Sequence, residues 1–236
     1  MSKHLFYLMI SLLVILFPFM ASAETYQGLW IGQVELNEVN DTTSTTSTEV
    51  LQPVKHVFDM TVLLHVHENG SVSLLKEVTM MQKTIQQDGE DIVQRVLITD
   101  DSLLPEYDGI IRRDGKLVGI RLGSLAYDFP IDQTQITLSG SFGVGNSLET
   151  TIVMDENHPT NPFRHLYHPD HHQGKRITRQ IQFSFDSNQD NSNPDDAKFS
   201  LIGVYSESIS GLHKIPLKIG GPFKIQRISE VGKLNN

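Results

Sequence analysis

The stretch VFDMTVLLHVHENGSVSLLKEVTMM, residues 57–81, decides the fold class of this chain. Its first part alternates with the period of two that is typical of a half-buried strand. One face of that strand would carry Phe58, Met60, Val62, Leu64 and Val66. Asn69-Gly70 follows, a dipeptide that accepts positive φ and closes tight hairpins, and Val72 begins a second apolar run. The stretch therefore predicts a β-hairpin with one buried face.

Strand patterns continue on both sides of this hairpin. GLWIGQVELNEV, residues 28–39, alternates in the same way, and seven more runs have strand character: DIVQRVLIT, KLVGIRLG, QITLSGSF, LETTIVM, RITRQIQFSF, KFSLIGVYSESI and IPLKIGGPFKIQRI. The best helix candidate, residues 77–91, is interrupted by Gly89 and reads equally well as strand and turn. We therefore expect an all-β fold, a single-domain antiparallel β-barrel or sandwich of about 8–10 strands over residues 24–236.

The first 23 residues have the features of a secretory signal peptide. Lys3 precedes an apolar run over residues 5–20, and the small-residue triplet Ala21-Ser22-Ala23 follows it. A retained transmembrane anchor would need roughly 20 apolar residues, and Pro18 interrupts this run. We predict cleavage after Ala23 and a secreted or periplasmic protein.

Composition excludes several classes of function. The formal charge is −9, and loss of Lys3 with the leader leaves 18 Lys and Arg against 28 Asp and Glu, or −10. An acidic chain repels phosphate backbones, so we expect no nucleic-acid partner. Cysteine is absent, which excludes cysteine catalysis, disulfides and a lipid anchor on a mature N-terminal cysteine. No later apolar run is long enough to span a bilayer after the leader is removed.

Two sets of residues resemble known families. Gly28, Trp30 and Arg227 resemble the glycine-x-tryptophan start and late arginine of lipocalin-type barrels. That resemblance implies a barrel in which the arginine stacks on the tryptophan where the first and last strands meet. Separately, GLWIGQVELNEV and NPFRHLYHPDH are similar to segments of secreted bacterial domains of uncharacterised function. This second resemblance implies a bacterial, exported protein and no particular chemistry.

Two polar segments interrupt the strand pattern. Residues 40–49, NDTTSTTSTE, have nothing apolar to bury and are predicted to form a flexible loop between the first two strands. Residues 155–175 form a long loop with five of the ten histidines of the chain. The candidate metal ligands in this histidine-rich loop are His158, His165, His168, Asp170, His171 and His172.

The histidine-rich loop has three open interpretations. The spacing His165-x-x-His168-x-x-His171 would let three imidazoles meet a divalent metal such as zinc if the segment turns. Alternatively, Pro169 and Asp170 form an ordinary turn, and the imidazoles bind backbone carbonyls that would otherwise lack partners. Direct catalysis is the third interpretation, although the chain has no H-E-x-x-H signature.

His65 and His67 lie on one face of their predicted strand, opposite Leu64. Such a pair could meet the histidine-rich loop and complete a metal site. We expect instead that both belong to the solvated face of an antiparallel sheet.

The catalytic signatures that we sought do not occur in the sequence. There is no G-x-S-x-G nucleophile motif, and nothing in the sequence pairs the strand carboxylates Glu35, Glu149 and Glu207. The leading hypothesis is an exported, non-enzymatic β-domain with a binding or structural role; if its histidine-rich loop binds a divalent metal, the metal would also stabilise the domain. One alternative is a metal-dependent hydrolase at the barrel mouth, with Asp170 or Glu156 as the base. Another is a lipocalin-like carrier whose cavity would be lined by residues such as Phe58, Met60 and Val62.

Overall fold

The computed structural model describes residues 26–43, 50–124, 133–157, 161, 174–188 and 200–236. The strands within these ranges are β1 (Gly28–Asn40), β2 (Leu51–Val66), β3 (Val72–Leu75), β4 (Glu77–Gln87), β5 (Glu90–Ile98), β6 (Ile111–Arg113), β7 (Lys116–Val118), β8 (Ile120–Gly123), β9 (Gln135–Gly140), β10 (Ser147–Met154), β11 (Ile177–Phe185), β12 (Ser200–Ser210) and β13 (Leu217–Ser229). A short 3-10 helix spans Asp101–Glu106. Within these ranges, no helix has the length and apolarity needed to cross a bilayer.

Eight strands close into an antiparallel barrel in the order β1-β13-β12-β11-β10-β9-β3-β2. Each barrel strand pairs with the next barrel strand along the chain, and β13 returns to pair with β1 through Trp30 opposite Arg227 and Val34 opposite Phe223. The predicted all-β antiparallel fold is confirmed, and of the two predicted architectures the chain forms the barrel. The pairings form a closed ring, in which β2 before Leu64 pairs with β1 alone and β10 after Glu149 pairs with β11 alone.

Alternation along the strands places one face of each inside the barrel. In β11 the buried residues Ile177, Ile181 and Phe183 alternate with Gln180 and Gln182, which are exposed. The inward residues form one apolar cluster that includes Trp30, Val34, Met60, Val62, Leu64, Leu138, Leu148, Ile152, Phe183, Phe185, Leu201, Tyr205, Phe223 and Ile225. Burial of this cluster is the main favourable contribution to folding.

The predicted hairpin is confirmed as β2 and β3, joined by residues 67–71. Only Gly70 of the Asn69-Gly70 pair has positive φ, at 82°. Residues 60–66 are buried with one exception of intermediate exposure, whereas Phe58 is 59% exposed. Phe58 keeps the phase of Met60 but lies in a part of β2 that pairs with β1 alone, because the pairing of β2 with β3 covers only Leu64–Val66.

The chain between β3 and β9 forms an insertion outside the barrel. Strands β5, β4 and β8 make a three-stranded sheet, and β6 pairs with β7 in a separate hairpin. Residues 77–91, the helix candidate, are therefore strand and turn. The inserted sheet covers the outer face of β1 and β2 through a second apolar cluster built on Leu29, Leu63 and Leu97. The C-terminal tail, residues 230–236, fastens to this sheet, since Asn235 N donates to Leu97 O at 2.8 Å.

Candidate functional site

One end of the barrel, the aromatic end, is filled by rings. It lies where β1 begins and β11 ends, and Trp30 packs there against Phe142 with 5.0 Å between ring centroids. Phe142 in turn contacts Phe185 at 4.9 Å. The Trp30 indole Nε1 donates to the Tyr26 carbonyl at 2.8 Å, so the one polar atom of this large side chain is satisfied.

Arg227 completes the aromatic end. Its guanidinium carbon lies 5.9 Å from the centroid of the Trp30 ring, within the range of a cation–π contact. Nη2 of the same side chain lies 3.2 Å from Oε1 of Glu230. The contact that the lipocalin-type resemblance implies is therefore present, at the point where the first and last strands pair.

The opposite end, the charged end, holds a buried ion pair. Arg179 of β11 and Glu207 of β12 both point into the barrel and are both buried. The Arg179 Nε and Nη2 atoms donate to the two carboxylate oxygens of Glu207, the second bond measuring 3.0 Å. The Tyr205 hydroxyl also donates to Oε2 of Glu207, at 2.7 Å. Three donors therefore hold one carboxylate among apolar neighbours.

Strand register explains this pairing. Ile181 lies opposite Glu207 and Arg179 lies opposite Ile209, so Arg179 and Glu207 are diagonal neighbours on the inward face. Long side chains reach across such a diagonal. Removing two charges from water is costly, and the pair is stable only because the geometry is bidentate and the remaining lone pairs are used. With both oxygens occupied, Glu207 is a poor general base, so the network favours a structural role.

The histidine-rich loop is anchored at the charged end by a buried asparagine. Asn161 is 1% exposed. Its side-chain Nδ2 donates to the carbonyl of Asp155 at 3.0 Å and to the carbonyl of Lys175 at 2.8 Å. These two carbonyls belong to the two ends of the loop, which follows β10 and precedes β11. The pairing of Met154 with Ile177 holds the base of the loop closed, and Asn161 is fixed to both sides of that base.

The candidate metal ligands themselves, His158, His165, His168, Asp170, His171 and His172, lie outside the described residues. Within the described ranges, no three His, Asp or Glu side chains come close enough together to share a metal ion. Glu156, the alternative hydrolase base, lies at the start of the loop and is exposed.

His65 and His67 are placed differently from the prediction. His65 is fully buried, because the inserted sheet and the C-terminal tail cover the outer face of β2. Its Nε2 lies 2.9 Å from the Val231 carbonyl, and its ring meets the His67 ring edge-on at 4.5 Å. No residue in the described part of the chain bonds to Nδ1 of His65. The expectation of a solvated pair was therefore wrong for His65, and His67 is only partly exposed.

Burial changes the proton affinity of both histidines. Loss of hydration lowers the pKa of His65 from 6.5 to about 4, against the opposing effect of the Val231 carbonyl and with a further decrease from His67. Burial also lowers the pKa of His67. Both rings are therefore neutral at pH 7. The Val231 carbonyl can only accept a hydrogen bond, so Nε2 of His65 carries the proton.

Sequence reasoning missed Arg179 and Tyr205 and left Glu207 unpaired. The signal lay in the alternation: Arg179 is in phase with Ile181 and Phe183, and Glu207 is in phase with Tyr205. A charge on the inward phase of each of two strands indicates a buried ion pair if the strands are neighbours. That adjacency follows from the barrel order.

Comparison with known proteins adds no assignment. No protein-family model matches the chain, and a comparison with curated proteins finds no match. The residues themselves therefore carry the functional argument.

Proposed function

We propose that this chain is an exported, non-enzymatic β-barrel that binds a divalent metal such as zinc through the histidine-rich loop at its charged end. The observation that supports this most is the position of Asn161, whose two hydrogen bonds tie it to both ends of the loop. The pairing of Met154 with Ile177 already joins those ends, so Asn161 fixes one further point of the loop beside them. A point that is fixed before binding reduces the entropy that the donors would lose on gathering around an ion. A barrel whose connecting segment is rich in donor side chains has the general form of a binding protein.

The ligand chemistry comes from the loop sequence. His165, His168 and His171 are the proposed first three donors, with His158, Asp170 or His172 completing the shell. Neutral imidazole nitrogen and carboxylate oxygen are the usual ligands of zinc in a chain without cysteine. Affinity should fall below about pH 6, where free imidazoles bind protons instead.

A non-enzymatic role is supported by the state of Glu207, the buried carboxylate inside the barrel. Both of its oxygens are engaged by Arg179, and Tyr205 adds a third bond. This carboxylate therefore has a structural role and is poorly placed to react with a substrate.

Carriage of an apolar ligand inside the barrel has less support. Met60 and Val62, which would line such a cavity, are buried in the packed cluster. A concavity of about 1110 Å³ lies instead on the outer wall, where its lining includes the outward residues Ile202, Val204 and Pro222.

The metal proposal is tested by elemental analysis of protein purified without chelator. The triple variant His165→Ala, His168→Ala, His171→Ala should lose bound metal, because one donor set is removed. A control variant, His56→Ala, removes an exposed histidine outside the loop and should keep the metal. Equal metal content in the triple variant and the wild-type chain would refute the site.

Asn161→Ala sharpens this test, because it removes no proposed ligand. It should weaken metal affinity by about tenfold, the usual effect of a lost supporting hydrogen bond. Competition with a chromogenic chelator measures the change. Unaltered affinity would mean that the fixed position of Asn161 is irrelevant to binding.

Export is tested by the mass of the mature protein. Cleavage after Ala23 leaves Glu24 at the N terminus. A mature product that retains residues 1–23 would contradict export with cleavage.

A further inference from the structure

Two hairpins of the inserted region share a turn and differ in charge. The acidic hairpin, residues 85–92, turns at Asp88-Gly89 with φ of 54° and 85°. The basic hairpin, residues 111–118, turns at Asp114-Gly115 with φ of 48° and 77°. In both hairpins the two turn residues have left-handed backbone conformations, with Asp at the first position and Gly at the second. Both hairpins therefore have the same type of tight turn. The two hairpins therefore present their flanking side chains in equivalent geometry.

The basic hairpin is positively charged, although the chain as a whole is negatively charged. It contains Arg112, Arg113 and Lys116 against one acid, Asp114, while the whole chain has a net charge of −9. All residues of β6 and β7 are exposed. Ile111 and Leu117 are 47% and 46% exposed, so apolar surface accompanies the cations. The hairpin therefore presents cations and apolar surface together, a combination that suits a contact with an acidic, partly apolar surface.

The acidic hairpin offers the complementary surface. Asp88, Glu90 and Asp91 are all exposed at its tip. Ile92 follows directly in β5 and is 40% exposed. This tip therefore also combines one sign of charge with exposed aliphatic surface.

The two hairpins match residue pair by residue pair. In the basic hairpin, Arg113 pairs with Lys116 at the turn, and the next pair on the same face is Ile111 with Val118. In the acidic hairpin, Gln87 pairs with Glu90 at the turn, and the next pair on the same face is Ile85 with Ile92. If these faces of the two hairpins pack against each other, Arg113 and Lys116 lie next to Glu90. The pair Ile111 and Val118 then lies against the pair Ile85 and Ile92.

We propose that the basic hairpin of one molecule docks on the acidic hairpin of a second copy of this chain. Within one molecule the two hairpins belong to different sheets, and both remain exposed. A second copy supplies the acidic surface to the basic hairpin and the basic surface to the acidic hairpin, so a two-fold arrangement makes the same contact twice. An anionic bilayer would satisfy only the basic hairpin.

The association depends on whether attraction between the hairpin tips exceeds repulsion between the net charges of the two molecules. Two copies each carry −9 and repel one another as whole molecules. At physiological ionic strength, however, charges separated by more than about 8 Å are largely screened. The contacting tips therefore dominate, and the association should be weak and should weaken further as salt is added.

Sedimentation velocity of the full chain over a range of concentrations tests this. The basic-reversed variant carries Arg112→Glu, Arg113→Glu and Lys116→Glu, and the acid-reversed variant carries Asp88→Lys, Glu90→Lys and Asp91→Lys. Each alone should raise the dissociation constant of self-association by about tenfold or more, as expected when several ion pairs become repulsive. An equimolar mixture of the two variants should associate, and so should the chain that carries all six changes.

A matched control reverses three exposed lysines elsewhere: Lys55→Glu, Lys214→Glu and Lys224→Glu. It changes net charge equally and should affect association less than the basic-reversed variant does. Near-ultraviolet circular dichroism from Trp30 checks that each variant keeps its barrel. Monomers at every concentration, or association indifferent to the reversals, would overturn the proposal. Binding of the wild-type chain to phosphatidylglycerol vesicles without self-association would overturn it in favour of a lipid partner.

Discussion

The two ends of the barrel are filled by different interactions, aromatic packing at one end and a buried ion pair at the other. At the aromatic end, Trp30 and Phe142 fill the interior with ring contacts, and a hydrogen bond to the Tyr26 carbonyl satisfies the indole. At the charged end, Arg179 and Glu207 occupy the interior, and Tyr205 completes their network. Ring packing is a sum of many small, non-directional contacts, whereas a buried charge network is stable only when every member is present. The aromatic end therefore supplies packing energy, and the charged end supplies directional constraint.

Breaking the aromatic end should have the largest effect. Trp30→Ala leaves a cavity beside Phe142 and Tyr26, and should cost about 4 kcal/mol in the free energy of unfolding. Urea denaturation followed by circular dichroism measures it. Tyr205→Phe is the contrasting control at the other end, because it keeps the ring and removes one hydroxyl, at a cost of about 1 kcal/mol. Equal losses in the two variants would remove the distinction between the ends.

Breaking the charged end should come next. Glu207→Ala leaves the buried Arg179 guanidinium without its carboxylate and should cost about 3 kcal/mol. The double variant Arg179→Met, Glu207→Leu replaces both charges with apolar side chains and should recover most of that loss. Urea unfolding of the two variants compares them directly. If the double variant is less stable than Glu207→Ala, the pair contributes more than mutual neutralisation.

The third prediction concerns pH and the outer face beside the aromatic end, where His65 pairs with Leu29. The folded chain holds the pKa of His65 at about 4 against 6.5 in the absence of burial. As pH falls through 6.5 the unfolded chain binds a proton first, so stability decreases until pH is near 4 and then levels off. The loss from this residue should be about 3 kcal/mol, and none is expected above pH 7.

His65→Gln isolates this effect from the titration of carboxylates. The difference in unfolding free energy between the wild-type chain and His65→Gln should change between pH 7 and pH 4 by nearly the full amount. Parallel pH profiles for the two chains would show that His65 is not the titrating group.

The smallest effect is expected at Arg227. Arg227→Lys keeps the positive charge but loses the planar group that lies over Trp30, and should cost about 0.5–1 kcal/mol. Thermal unfolding near pH 7 resolves a change of this size. A loss as large as that of Trp30→Ala would mean that Arg227, and not ring packing, stabilises the aromatic end.

The fold was predictable where buried and exposed residues alternate along a strand. Residues 57–81 and GLWIGQVELNEV predicted an antiparallel β fold correctly, because period-two burial is a local property. Phe58 departs from that pattern because β3 pairs with β2 only over Leu64–Val66, an extent that the alternation within β2 does not determine. The choice of barrel over sandwich depends on β13 reaching β1, a pairing between residues about 200 apart in sequence.

The sites were less predictable than the fold. Arg179 and Glu207 stand on inward phases, but only the order of the strands makes them neighbours. His65 reads as a solvated residue because its own strand alternates, and its burial comes from an insertion and a tail far along the chain. The metal prediction for the histidine-rich loop stays a prediction, since its donors lie outside the described residues. The base of that loop was not predicted, because nothing in its sequence marks Asn161 as buried.

The pairing of β13 with β1 also bears on how the molecule can be made. Until β13 has left the ribosome, the other seven barrel strands have two unpaired borders and cannot complete a native interior. Closure of the barrel therefore waits for this one strand, although the other seven are made before it.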